Sequence, residues 1–218
     1  MLNPCSERAE PAPPAPAQPT HGQPATLKVV IAGGFGVGKT TAVGAVSEIT
    51  PLRTEELLTE SSTTVDSLEG VAAKRTTTVA FDFGRITFHD PAAPLELLLF
   101  GAPGQDRFLG LWHDLARGAV GAVVLADTRR LATSFTAVSF FEDNDLPFVV
   151  AVNEFDGARR HHLDEVRTAL ELGPHVPLMT CDARRPRHVA SVLRTLVEHA
   201  ITIVSQQTLH PTTALQDT

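Results

Sequence analysis

One stretch of eight residues narrows the possible folds more than any other: Gly33-Gly34-Phe35-Gly36-Val37-Gly38-Lys39-Thr40. It fits G-x-x-x-x-G-K-[ST] throughout, follows an apolar run over residues 27–32 (LKVVIA) and precedes a helical pattern over residues 39–49. A strand that passes through glycines into a helix aims successive backbone N–H groups at one point in space. The helix N-terminus adds the positive end of its dipole at that point. Lys39 supplies a point charge for β- and γ-phosphates, and Thr40 offers a hydroxyl to Mg²⁺. These eight residues, with Thr41 after them, form the expected phosphate-binding set. The motif implies nucleoside triphosphate binding and leaves the base and the reaction open.

The rest of the chain alternates apolar runs with helical patterns. Strands are expected over residues 27–32, 78–88, 95–100 (LELLLF), 119–126 (AVGAVVLA), 147–152 (PFVVAV) and 176–181. Helices are expected over 39–49, 106–117 and 130–142, and around Leu163, Val166, Ala169 and Leu170. The last helix is the clearest, with Val189, Val192, Leu193, Leu196, Val197, Ala200, Ile201 and Val204 on one face. Continuously apolar strands joined by crossover helices imply an α/β fold of three layers, with a mostly parallel central sheet of about six strands. Residues 50–77 stand apart. They are polar and poor in periodicity, the mark of a functional or mobile segment inside a domain.

Residues 1–26 hold seven prolines and almost no large apolar side chain, so they read as a Pro/Ala-rich disordered tail. Residues 205–218 gain Gln, Thr and Pro and read as a shorter flexible tail, which leaves 27–204 as the domain. With 25 acidic against 18 basic side chains, a formal charge of −7, the chain is not expected to bind nucleic acid. No apolar run is long enough to span a bilayer, and no apolar signal core opens the sequence. Two cysteines, Cys5 and Cys181, cannot build a disulfide framework. The expected setting is the cytoplasm. Three lysines beside fifteen arginines suggest a GC-rich bacterial genome.

Three further segments carry chemistry. Phe100-Gly101-Ala102-Pro103-Gly104-Gln105-Asp106-Arg107-Phe108 follows the LELLLF strand. Asn153-Glu154-Phe155-Asp156 follows the PFVVAV strand, and Thr180-Cys181-Asp182-Ala183 follows the last one. A carboxylate at Asp156 can accept from guanine's ring N–H and amino group together, a donor pair adenine lacks. The first segment resembles the second switch of small Ras-like GTPases, D-T-A-G-Q-E-R-F. The second resembles that superfamily's guanine-reading N-K-x-D element, and the third loosely resembles its S-A-K element. The resemblance spans roughly residues 27–204 and implies a three-layer P-loop NTPase fold of Ras-like type.

By the resemblance, Gly104 meets the γ-phosphate, Gln105 orients the attacking water, Asn153 ties the base loop to the phosphate loop, and Ala183 offers its N–H to guanine. A threonine of the first switch places its hydroxyl on Mg²⁺. Thr78 has the best register, and Arg75 is close enough in sequence to serve as an internal arginine finger. The expected catalytic residues are thus Gln105, Lys39, Thr78 and Arg75, and the metal ligands are Thr40 and Thr78. The proline-bearing A-P-G-Q is similar to the bacterial MglA-like branch, and N-E-F-D with the tailed, arginine-rich chain to GTP-binding proteins of actinobacterial conservon operons. That implies a GDP/GTP cycle with Mg²⁺, a roadblock-type partner and a sensor-kinase-like protein nearby, with recruitment to the membrane through partners. Two positions depart from the pattern. Gly101 stands where the family has the aspartate of its Mg²⁺ shell, which implies weaker metal binding. Glu154 replaces the lysine that flanks the base, which implies modest guanine affinity.

The leading expectation is a guanine-nucleotide switch that hydrolyses GTP slowly without a partner. Two rivals remain open: a nucleotide-holding scaffold that does not cycle, and a different P-loop ATPase or small-molecule kinase. The latter needs paired lid arginines, and Arg129-Arg130, Arg159-Arg160 and Arg184-Arg185 are such pairs, each also readable as solvated. Trp112, with Leu111 and Leu115, is expected to pack behind the second switch. Phe35 is expected to shield the nucleotide or a partner groove. His161-His162 face different ways on a helix and form no metal site.

Overall fold

Burial on two sides makes a strand apolar throughout, and burial on one side makes a helix amphipathic. Both patterns recur in the structure, a computed structural model that describes residues 24–59, 76–90, 94–105 and 108–209. The strands are β1 (Ala25–Ala32), β2 (Leu52–Thr59), β3 (Thr76–Phe88), β4 (Leu95–Gly101), β5 (Ala119–Ala126), β6 (Phe148–Asn153) and β7 (Leu178–Cys181). The helices are α1 (Lys39–Val46), α2 (Leu109–Ala116), α3 (Phe135–Asp143), α4 (Leu163–Ala169) and α5 (Pro186–Leu209). One sheet runs in the order β2-β3-β4-β1-β5-β6-β7. β1 pairs in parallel with β4 and β5, β5 with β6, and β6 with β7, whereas β3 pairs antiparallel with β2 and β4.

β1 is central, and its side chains divide the core. Val29 and Ile31 join Val43 of α1 and Leu193 and Leu196 of α5 on one face. Val30 and Ala32 join Trp112 of α2, Phe141 of α3 and Val166 of α4 on the other. Each such buried aliphatic stabilises the fold by roughly 1.5–3 kcal/mol. The result is the expected three-layer α/β fold.

Six of the seven strands are the expected ones. The seventh, β2, lies in the segment expected to be irregular, and its eight residues pair with β3 from Leu52↔Phe83 to Thr59↔Thr76. β2 is an edge strand, and its sequence (LRTEELLT) carries the charges that edge strands tolerate, so it lacks the apolar signature of its parallel neighbours. Residues 60–75 of that segment lie outside the described residues.

The helix expected over 130–142 is divided. A 3₁₀ stretch, Thr128–Ser134, precedes α3, with Arg130 in a non-helical conformation. At the C-terminal side α5 continues to Leu209, so residues 205–209 belong to a helix and not to a tail. Extending an established helix needs no new nucleus, and Gln and Leu are good helix formers. Residues 210–218, and 1–23 of the expected N-terminal tail, lie outside the described residues. No described helix is long and apolar enough to cross a membrane.

Candidate functional site

The candidate residues collect at the C-terminal ends of β1, β4, β6 and β7, where α/β sheets of this kind bind ligands. After β1 the chain turns through Gly33–Gly38 and enters α1 at Lys39. Gly38 holds φ at 107°, and a Cβ there would come within 2.7 Å of Asn153 Nδ2, so both conformation and space call for glycine. Lys39 Nζ donates to the carbonyls of Gly33 and Gly34, each at 2.8 Å. Burial lowers the Lys39 ammonium to about 8, against a smaller opposing pull from Asp82.

The loop after β4 closes over this turn. Gly104 sits so near that a Cβ would lie 2.5 Å from Lys39 Nζ and 2.7 Å from the Gly34 carbonyl carbon. Trp112, buried in the α2–α3 core against Phe140 and Phe141, donates its indole N–H to Pro103 O at 3.0 Å. The expected packing of Trp112 behind this loop is what the structure shows. Gln105 is exposed, next to Asp106 and Arg107, which lie outside the described residues. Phe35 is 69% exposed at the rim of the same cavity, which has a volume of about 360 Å³ and reaches Thr40, Thr41 and Gly104.

Sequence reasoning missed a carboxylate here. Asp82 of β3 pairs across the ladder with Gly101 of β4. A Cβ at Gly101 would stand 3.2 Å from Asp82 Cβ and 3.3 Å from its Oδ2, so Asp82 fills the space beside the glycine. Its Oδ2 accepts from Thr40 Oγ1 at 2.5 Å. A hydroxyl and a carboxylate side by side at the phosphate cavity are hard oxygen donors, and that set fits Mg²⁺, which takes few protein ligands and completes its shell from phosphate and water. The one hint in the sequence is that Gly101 lacks a carboxylate. The antiparallel register that supplies one could not be read from local pattern. Of the other expected residues at this end, Thr78 lies in β3 with its backbone opposite Leu57, and Arg75 is outside the described residues.

The end expected to hold the base is built from side-chain pairs. Asn153, 6% exposed at the end of β6, donates to Val37 O at 2.8 Å and accepts from Ala183 N at 3.0 Å. It therefore ties the end of β6 to the phosphate loop and also to the loop after β7. The N–H of Ala183, expected to face guanine, donates to Asn153 in the structure. A cavity of about 200 Å³ lies between Gly38, Thr41, Phe155, Asp156 and Ala183. Asp156 is at its mouth, but both of its oxygens are taken by Arg184, from Nη1 to Oδ2 at 2.6 Å and from Nη2 to Oδ1 at 3.0 Å. These hydrogen bonds and the charge behind them hold the Asp156 carboxyl below its ordinary range. Asp182 grips the same guanidinium from the other side, Nε to Oδ1 at 2.9 Å, and is lowered for the same reason.

At least one arginine of each remaining pair is also engaged. Asp127, 1% exposed, holds Arg129 through Nε and Nη2, and Arg129 lies over the Phe155 ring at 3.8 Å. Arg130 donates to Phe35 O at 3.1 Å. Arg160 lies 3.6 Å from Glu154. In the sequence these arginines count only as lid pairs, and Asp127 and Asp182 have no role of their own; the contacts of Arg184 with Asp156, Arg130 with Phe35 and Arg129 with Phe155 join segments far apart in the chain. His162 caps α4 by accepting from Asp164 N, and Cys181 is a buried thiol pushed up to about 11 by desolvation.

A family described as conserved hypothetical ATP binding protein matches residues 31–203. The chain belongs to this family. The span matched by this ATP-binding-protein family runs from β1 into α5 and takes in the phosphate loop, Asp82, Asn153–Asp156 and Asp182–Arg184. Among solved structures, the apo cytosolic domain of the FeoB iron transporter of T. maritima is similar, with a TM-score of 0.56 and 18% identity. The match covers 80% of this chain and 64% of that one, so the chain spans less than two thirds of its solved neighbour. At that identity the likeness is one of fold. No curated protein matches the sequence. Loop, sheet order and family together make this a nucleotide-binding P-loop protein.

Proposed function

We propose that this chain is a guanine-nucleotide switch with slow Mg²⁺-dependent hydrolysis of GTP. The observation that carries the reading is the Asn153 tie, which sets Asp156 and the phosphate loop around one cavity. Lys39 and the N–H groups at the start of α1 hold the phosphates. Thr40 and Asp82 are the described residues that would hold Mg²⁺; Thr78, the ligand expected from the sequence, lies four residues along β3 from Asp82, roughly 13 Å away, and would have to leave the strand to join them. When bound, the metal neutralises charge building on the phosphate oxygens. Gln105, on the loop that Gly104 presses against Lys39, orients the water. Arg75 is the candidate internal finger. A site of this kind works by positioning and charge, so a chain without its partner turns over slowly. Partners of roadblock type near a sensor-kinase-like protein, the MglA-like and conservon affinities, and a cytoplasmic place with recruitment to the membrane rest on the sequence resemblance.

A second reading has specific support. The family is described by ATP, and Arg184 covers the atoms of Asp156 that a guanine needs. Calorimetric titration of nucleotide-free protein with GTP, GDP and ATP in Mg²⁺ separates the two. The switch reading expects ATP to bind at least about tenfold more weakly than GTP. Equal binding of ATP would replace the switch with a P-loop ATPase.

A further inference from the structure

We infer that Arg184 sets the base selectivity of this site by competing with guanine for Asp156. The inference rests on the reading of Asp156 as the base reader. A guanidinium edge and guanine's N1–H and amino edge present the same thing to a carboxylate: two parallel donors in one plane. In the structure Arg184 Nη1 and Nη2 take both Asp156 oxygens, at 2.6 and 3.0 Å. Arg184 therefore stands in the place of the base edge, and guanine must displace it. Adenine lacks the donor pair and has no such exchange to make.

The geometry also shows where the arginine goes. Asp182 is 6% exposed and receives Arg184 through its backbone N–H, Nε and Nη2, all at 2.9–3.0 Å. Asp182 is itself steadied by Arg185 Nε at 3.2 Å, and its own N–H donates to His188 Nδ1 at 3.2 Å. One anchor is local and buried. The other, Asp156, lies 28 residues away on an exposed side chain. Guanine can take Asp156 while Arg184 stays on Asp182, so the exchange breaks two hydrogen bonds and leaves no charge buried alone. Opening this exposed pair takes back part of the affinity that base reading provides.

The test is calorimetry of the full chain with GDP and ADP in Mg²⁺, on the unaltered protein and on Arg184→Ala, Arg184→Lys, Asp156→Ala and the Arg184→Ala/Asp156→Ala pair. The expected result is GDP bound about three- to tenfold more tightly by Arg184→Ala, with ADP unchanged. Arg184→Lys, which keeps a charge without the fork, should fall between. The gain should vanish in the double variant. Matching thermal melts will establish that all variants fold. GDP binding that is unchanged or weaker in Arg184→Ala, while Asp156→Ala still costs affinity, overturns the competition alone. Equal tightening of GDP and ADP overturns it too, since that is a general charge effect. If Asp156→Ala costs no GDP affinity in either background, the guanine reading itself falls.

Discussion

The phosphate end and the base end of this site are built from different materials. At the phosphate end the work falls to backbone: glycine turns, a helix N-terminus and a loop pressed so close that Gly104 admits no side chain. The positive charge there, Lys39, rests on two carbonyls. At the base end almost every group is a charged side chain held by another: Asp156 and Asp182 on Arg184, and Asp127 on Arg129. Backbone geometry is shared by any sequence that can make the turn, so the phosphate end has one arrangement. Side-chain pairs can exchange partners, so selectivity at the base end is a competition among charges.

The largest test of this contrast removes the positive charge at the phosphate end. Lys39→Ala should weaken binding of every nucleotide by about a hundredfold or more, without regard to base, in the same calorimetric titration. Cutting the link between the two ends comes next. Asn153→Ala orphans Val37 O and Ala183 N in a buried place and should cost about 2–3 kcal/mol of stability, read from denaturant unfolding. A smaller effect is expected from pH. Burial holds the free Lys39 at about 8, while bound phosphates favour its charged form. Above that value binding must first return a proton to Lys39. Affinity should therefore fall about tenfold between pH 7 and 9 and stay flat below 7, and Lys39→Arg should flatten the profile. The smallest effect is at the support of the Gly104 loop. Trp112→Phe loses the bond to Pro103 O together with part of a buried ring and should cost about 1–2 kcal/mol in thermal unfolding.

The same contrast decides what the sequence alone makes legible. Six strands were legible because parallel strands are buried on both faces and appear as plain apolar runs. β2 was hidden because an edge strand is not held to that rule, and Arg53, Glu55 and Glu56 look like loop. The phosphate loop was legible because its demands, glycine at turns and Lys-Thr at the helix start, are local in sequence. Asn153 was legible through its place at a strand end. The grip of Arg184 on Asp156 was not, since it joins two loops 28 residues apart and depends on which of several nearby carboxylates wins. The bond from the Ala183 N–H to Asn153 was hidden for a related reason: it joins two loops 30 residues apart.

The Asp82–Gly101 pair bears on how such proteins are classified. The carboxylate beside Thr40 stands on the neighbouring strand, and the position it would otherwise occupy is a glycine, which leaves room for it. A pattern that runs along the chain scores Gly101 as a loss. Across the ladder, the carboxylate is present. A chain that lacks an acidic residue at one position can hold it one strand over, because a sheet sets residues distant in sequence side by side.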